Sequence, residues 1–153
     1  MGGKRGKGRK KSKYLREQGS QADLQPKSKL KRVVVSYFYL DIKQGQTLEK
    51  WDETPGRLLK WEKLITQLNS RTIRQAITDR IIIVYKDLDA DIHNMPKKSK
   101  WKFPEALKGK DITWCKIEVM QKVRVIGFME DNIFYAVFLD EDHEFFPTEP
   151  RNT

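Results

Sequence analysis

The sequence is poor in the residues that build disulfide and metal frameworks. It has one cysteine, Cys115, and two histidines, which excludes an internal disulfide and leaves zinc sites without their usual ligands. The Gly-rich patterns that cradle nucleotide phosphates and the His-Glu-x-x-His pattern of zinc proteases are both missing. We therefore expect neither a metal nor another cofactor. Cys115 follows Trp114 in a predicted strand, which favours a buried structural thiol over a nucleophile.

Long hydrophobic runs are also missing. No apolar stretch approaches the roughly 18 residues that a membrane-spanning helix needs. The basic N-terminus is not followed by the apolar segment that a signal peptide requires. These features, together with a single cysteine that fits a reducing compartment, predict a cytoplasmic protein with no membrane partner.

Positive charge is concentrated at the N-terminus. Residues 1–32 hold twelve Lys and Arg against two acids, a net charge of +10, which equals the net charge of the whole chain. The remaining 121 residues carry nineteen basic and nineteen acidic side chains and are neutral. The cations nearest the N-terminus, which we predict to contact nucleic acid, are Lys4, Arg5, Lys7, Arg9, Lys10, Lys11, Lys13 and Arg16.

Residues 1–32 contain few large apolar groups. Because such a segment cannot bury enough surface to offset the entropy of ordering, we predict a disordered basic tail. Two functions fit it: a solubilising leader, or an arm that neutralises nucleic-acid phosphates and gains affinity by counterion release. The density of charge between Lys4 and Lys13 favours the arm.

The pattern of apolar and turn residues in 33–150 predicts one α+β domain, an antiparallel sheet with two helices packed on one face. The β-branched and aromatic run 33–40 predicts the first strand. Apolar residues at spacings of three and four from Leu58 to Leu68 predict an amphipathic helix that begins at Thr54-Pro55.

Thr72 begins the second predicted helix. Residues 81–85 fit either a strand or the buried end of that helix. The C-terminal third predicts a meander of antiparallel strands. Its strands are expected at 112–120, 122–128, 133–139 and 143–146.

Two acidic groups superficially resemble metal sites. Asp87, Asp89 and Asp91 have the spacing that begins a calcium loop, with His93 nearby, but the glycine and closing glutamate are missing. A solvated loop explains them better. The run 140–144 is explained more simply by acids in a turn between strands.

A basic and polar group on the predicted meander is more informative. Arg124 lies between apolar residues of a central strand, and Lys116 and Lys122 lie near it. Tyr135 lies in the next strand, with Asp140 and His143 just after it, so these side chains can converge on one face. Cations hold RNA phosphates, and a His or Tyr can serve as acid or base in attack by the 2′-OH.

The same residues also allow a purely structural interpretation. In that interpretation Arg124 pairs with an acid on a neighbouring strand, and His143 has no functional role. Phe145, Phe146 and Trp101 are the aromatic residues that could stack a base if the domain binds RNA.

The segment Lys122–His143, KVRVIGFMEDNIFYAVFLDEDH, resembles the C-terminal hairpin of the RelE/HigB/ParE superfamily of bacterial toxins. There a strand with a basic residue leads through a short turn into an aromatic-rich strand, and the order of strand, helices and meander is similar. The resemblance implies a metal-independent endonuclease acting on ribosome-bound messenger RNA, with an antitoxin as partner. By position, Arg124 would hold phosphate, and His143 or Tyr135 would assist proton transfer.

Three functions remain open at this point. The first is a nucleic-acid-binding protein, of RNA in preference to DNA, whose tail grips phosphate and whose domain docks to RNA or to a protein. The second is a ribonuclease of the toxin class. The third is a structural subunit of a nucleoprotein assembly. The neutrality of the domain favours the first and the third over the second, because a nuclease must attract a polyanion to its site.

Overall fold

The computed structural model describes residues 31–86 and 95–147. Within these ranges, a five-stranded sheet of order β1-β5-β4-β3-β2 accompanies three α-helices and one 3₁₀ turn, so the predicted α+β class is confirmed. In chain order the elements are β1 Val34–Ser36, α1 Leu48–Asp52, α2 Arg57–Asn69, α3 Ile73–Thr78, β2 Ile83–Val84, the 3₁₀ turn Glu105–Leu107, β3 Trp114–Met120, β4 Val123–Glu130 and β5 Ile133–Asp140.

The sheet is mixed rather than wholly antiparallel. Strands β3, β4 and β5 form the predicted antiparallel meander, and β2 joins it antiparallel to β3. Strand β1 instead pairs with β5 in parallel, with Val34 opposite Ile133. The prediction of an antiparallel sheet is therefore wrong at β1. The direction of this pairing depends on the path of the chain through the helices, which no local pattern encodes.

The first strand is shorter than its β-branched and aromatic run predicts. It ends at Ser36, whose hydroxyl accepts the N–H of Phe38 at 3.1 Å and starts a turn. At the other end of the chain, residues 143–146 form an irregular segment, so the strand predicted there is wrong. Residues 81–85 contain the two-residue strand β2.

The helices begin at local capping signals, with one correction. The Thr47 hydroxyl caps α1, and Thr72 forms a capping box with Gln75 at the start of α3. Helix α2 begins after Gly56, at φ 82°, rather than at the predicted Thr54-Pro55. With α1 the described residues hold three helices, one more than predicted. None of these helices has the length and apolarity needed to span a bilayer.

The two faces of the sheet bury different residues. On the helical face, buried side chains from all three helices pack against β3, β4 and β5; these helical residues are Trp51, Trp61, Leu68 and Ala76. Cys115 is buried on this face as predicted, and burial raises its pKa to about 12. The opposite, aromatic face is covered by loop residues, with Trp101 stacked on Phe138 at a centroid distance of 4.8 Å.

A β-bulge between β4 and β5 changes which side chains share a face. Ile126 lies opposite Phe138, whereas Gly127 lies opposite Ala136, so Val137 is the extra residue. Because side chains alternate between faces, this shift moves Asp140 onto the aromatic face. The bulge therefore brings Asp140 onto the same face as its partner Arg124.

Candidate functional site

The aromatic face ends in a cluster of polar side chains, which we call the Arg124 cluster. Strand pairing places Glu118, Arg124 and Asp140 side by side on β3, β4 and β5. The Lys116 ammonium lies 5.5 Å from the centroid of the Tyr85 ring. The cluster consists of Tyr85, Lys116, Glu118, Arg124, Asp140 and His143.

Arg124 is the central cation of the cluster, and only 8% of it is exposed. Its Nε donates to the carbonyl of Lys122 at 3.3 Å. Among the described residues its guanidinium forms no close ion pair, although the acids Glu118 and Asp140 are its cross-strand neighbours and its charge opposes the rise in the pKa of Asp140. The predicted cross-strand acid is therefore present opposite Arg124, but not as a close ion pair.

The two acids beside Arg124 hold other partners. Glu118 pairs with Lys116 at 3.1 Å. Asp140 is fully buried and accepts the backbone N–H groups of Glu144 and Phe145 at 2.8 and 2.9 Å. Burial raises the pKa of Asp140 above its usual value, although these N–H groups and the nearby guanidinium oppose the shift. Asp140 thus secures the turn that carries His143.

His143 stands in this turn with a left-handed backbone, φ 61°. Partial burial lowers the pKa of its imidazole below 6.5, and the positive charges of Arg124 and Lys116 lower it further, while Glu118 opposes them. Burial and these charges therefore favour the neutral form of the imidazole. A neutral imidazole beside a guanidinium can accept a proton from a hydroxyl that binds there.

Sequence reasoning missed two members of the cluster, Glu118 and Tyr85. The hydroxyl group of Tyr85 is buried, and it has no hydrogen bond of good geometry within the described residues although the Arg124 guanidinium lies close by. Burial raises the pKa of Tyr85 to about 12, although Arg124 opposes the shift. The phenol therefore stays protonated and can donate a hydrogen bond to a ligand. The sequence held one indication of the place of Tyr85. If residues 81–85 form a strand, Tyr85 lies at the end of an edge strand.

The other predicted site residues divide into those near Arg124 and those away from it. Lys116 belongs to the cluster, and the exposed Lys122 pairs with Asp142 at 3.5 Å. Tyr135 lies on the same face of the sheet as Arg124, but opposite Phe128 and stacked on it at 5.2 Å. Tyr135 therefore shares the predicted face but lies outside the Arg124 cluster, because Phe128 is four positions from Arg124 on β4.

The aromatic residues expected to stack a base serve the core instead. Trp101 and Phe145 are buried on the aromatic face, so they offer no free ring surface and their prediction as stacking residues is wrong. Phe146 is half-buried, with its ring centroid 5.9 Å from that of Tyr85. Most of the predicted tail, residues 1–30, and the acidic group in 87–94 lie outside the described residues.

The chain matches no protein-family model, no curated protein and no solved structure. The likeness to the toxin superfamily therefore stays a prediction. Because a fold does not by itself define a function, the chemistry of the Arg124 cluster has to support any functional conclusion.

Proposed function

We propose that this protein binds RNA, with its N-terminal polycation attracting the phosphate backbone and the Arg124 cluster holding one phosphate. The observation that carries the proposal is Arg124 itself, a guanidinium nine-tenths buried on a central strand that forms no close ion pair among the described residues. Its Nε–H donates to the Lys122 carbonyl, and the other N–H donors of a buried guanidinium favour an anionic ligand.

The donors around Arg124 suit a phosphate group. A guanidinium presents its N–H groups as a planar fork that matches phosphate oxygens in pairs. The Tyr85 hydroxyl adds a donor, while the charge of Lys116 is balanced by its pair with Glu118. No described carboxylate other than Glu118 and Asp140 faces Arg124 in the paired strands, and both have their own partners.

Two further features support RNA binding. The neutral imidazole of His143 can accept a hydrogen bond from a 2′-OH, which DNA lacks. The net charge of +10 in residues 1–32 supplies the long-range attraction that the neutral domain does not.

A cytoplasmic location fits the buried thiol of Cys115, which suits a reducing compartment.

The experiment that tests this proposal compares the full chain with Arg124→Gln in binding to single-stranded RNA at fixed salt. We expect the substitution to weaken binding about tenfold or more, because a neutral amide cannot form the buried charge-assisted hydrogen bonds of the guanidinium. Lys60→Gln is the matched control: it removes one positive charge from the exposed face of α2 and should change affinity little. An equal reduction of affinity in the two variants would show that charge alone, and not the cluster, determines binding.

A second candidate function is cleavage of the bound RNA, as the toxin resemblance implies. It is favoured by the position of His143 in the Arg124 cluster, where burial and the charge of Arg124 lower the pKa of the imidazole. His143 would take the proton of the attacking 2′-OH, and Arg124 would stabilise the charge that develops on the phosphate. An antitoxin would then be the expected protein partner.

Cleavage is tested by expressing the full chain and the double variant Arg124→Ala, His143→Ala in growing cells while mapping transcript ends. Growth arrest and new transcript ends should appear with the native chain and disappear with the variant. Growth arrest that persists in the double variant rules out this nuclease.

A further inference from the structure

The turn after β1 exposes an aromatic ring that the core does not use. Phe38 is 78% exposed, the highest value among the large apolar residues described, and Ile42 in the same loop is 59% exposed. Both line an open cavity of about 540 Å³ between this loop and the segment 102–106. An aromatic ring left in water at the mouth of a cavity forgoes the free energy of its burial, so a ligand is the natural reason to keep it there.

Contacts within the protein hold Phe38 in place at the mouth of the cavity. The N–H of Phe38 is held by the Ser36 hydroxyl, and its ring meets that of Tyr39 edge to face at 4.8 Å. Tyr39 in turn packs against Tyr135 and Phe128 at 5.1 and 5.7 Å. The exposed ring is thus backed by the aromatic face of the sheet.

A pair of hydrogen bonds joins the two walls of the cavity. The Gln44 side chain accepts from the backbone N–H of Lys102 at 2.7 Å and donates to its carbonyl at 2.9 Å. This pair links the loop after β1 to the segment that follows Trp101. Because the walls are tied together before any ligand arrives, binding costs little ordering entropy.

The charges around the cavity leave two cations free at its rim. The Asp41 carboxylate is taken up by the backbone N–H groups of Lys43 and Gln44 and by the Gln44 amide. Glu105 pairs with Lys108 at 2.7 Å. Among the described residues, the exposed ammonium groups of Lys43 and Lys102 have no ion pair.

The geometry points to this cavity as a binding site for one unpaired nucleobase of a single-stranded RNA, with the base on the face of Phe38 and the adjoining phosphates at Lys43 and Lys102. This inference rests on the proposed RNA-binding function and adds a second RNA-binding point to the Arg124 cluster. Stacking on an exposed ring beside free cations is how proteins hold single strands without reading sequence. An apolar segment of a partner protein would use Phe38 and Ile42 but leave the two cations without a role.

The test uses the full chain and an oligouridylate of about ten nucleotides, long enough to span a typical single-strand site. We expect Phe38→Ser to weaken binding about 5- to 100-fold, the range for removal of one base stack. Phe38→Trp should retain binding, because a larger ring replaces the first. Leu59→Ser is the matched control, since it removes an exposed apolar side chain from α2, outside the cavity, and should have no effect.

An abasic oligonucleotide of the same length separates stacking from a structural effect. It should bind the native chain and Phe38→Ser equally, and an equal reduction of affinity for both oligonucleotides in the variant overturns the inference. A uridine replaced by 5-iodouridine should crosslink to Phe38 on irradiation.

Two outcomes distinguish failure of this site from failure of RNA binding as a whole. If Phe38→Ser binds RNA like the native chain while Arg124→Gln does not, the base site is wrong and the RNA-binding function stands. If Phe38→Ser binds RNA like the native chain but changes the self-association of the protein, the cavity is a protein docking surface. If the native chain binds no RNA, the proposed function fails and the base site fails with it.

Discussion

At the scale of single residues, Arg124 and Asp140 face each other on neighbouring strands without forming an ion pair. Asp140 accepts two backbone N–H groups rather than making a close contact with the guanidinium. The sequence predicted that Arg124 was unusual, because a charge in an apolar strand is visible locally. It could not predict that Asp140 binds the backbone instead of Arg124, because that depends on the turn that follows β5.

Removing the Asp140 carboxylate should loosen this turn. In Asp140→Ala the N–H groups of Glu144 and Phe145 lose their acceptor in a buried environment, so we expect the free energy of unfolding to fall by about 1–3 kcal/mol in urea denaturation. Asp142→Ala is the control, because Asp142 is exposed and its Oδ1 lies 3.5 Å from the Lys122 ammonium, a weak surface pair. Similar reductions in the two variants would contradict this role of Asp140.

The lowering of the pKa of His143 in the folded chain predicts the direction in which stability changes with pH. Below pH 6.5 the unfolded chain binds a proton at this residue before the folded chain does, so stability contributed here is lost as pH falls from 6.5 through the folded pKa. His143→Asn keeps a residue that tolerates a positive φ and removes the titration. Urea denaturation at pH 7.5 and at pH 5 should show a larger drop for the native chain than for the variant. Equal drops would mean that the histidine titrates alike in both states.

At the scale of elements, the parts that the sequence predicted are those set by local patterns. The capping box of α3 and the hairpin of β4 and β5 depend on residues a few positions apart. The parallel partner of β1 and the bulge at Gly127 depend on how distant strands meet, and neither left a local pattern to read. The place of Tyr85 in the cluster could not be predicted for the same reason, since it depends on the pairing of β2 with β3.

The close approach of β4 and β5 at the bulge can be tested by substituting Gly127. A Cβ on Gly127 would lie 2.0 Å from the carbonyl oxygen of Tyr135, a backbone atom that cannot move without breaking the strand pair. We expect Gly127→Ala to lower the free energy of unfolding by about 3 kcal/mol, at the upper end of overpacking costs, or to prevent folding.

Gly109→Ala is the comparison for Gly127→Ala. Gly109 has a φ of 83° but no atom within 4 Å of an added Cβ, so only backbone strain of about 1–2 kcal/mol applies. Urea denaturation measures both, and a milder effect at Gly127 than at Gly109 would contradict the close approach of the strands.

At the scale of the whole molecule, charge and fold are separated along the chain. Removing residues 1–30 deletes ten Lys and Arg and two acids but keeps Lys31, which pairs with Asp131 at 2.5 Å, and Arg32, whose carbonyl accepts from Asn132. We expect the truncated chain to bind RNA more weakly and with a shallower dependence on salt, by about 0.7 in log–log slope for each phosphate that the tail no longer neutralises. Fluorescence anisotropy at several salt concentrations measures this. Unchanged affinity and slope would leave the tail as a solubilising leader.

The parallel pairing of β1 with β5 also has a consequence for the order in which the protein folds. Val34 and its partner Ile133 are 99 positions apart, so β1 leaves the ribosome long before the strand it pairs with exists. Closing so long a loop is slow, whereas the β4–β5 hairpin closes locally. We expect Val35→Ala in β1 to speed unfolding and Val125→Ala in β4 to slow refolding, as stopped-flow kinetics can measure. The edge that carries Phe38 would then be the last part of the sheet to form and the first to open.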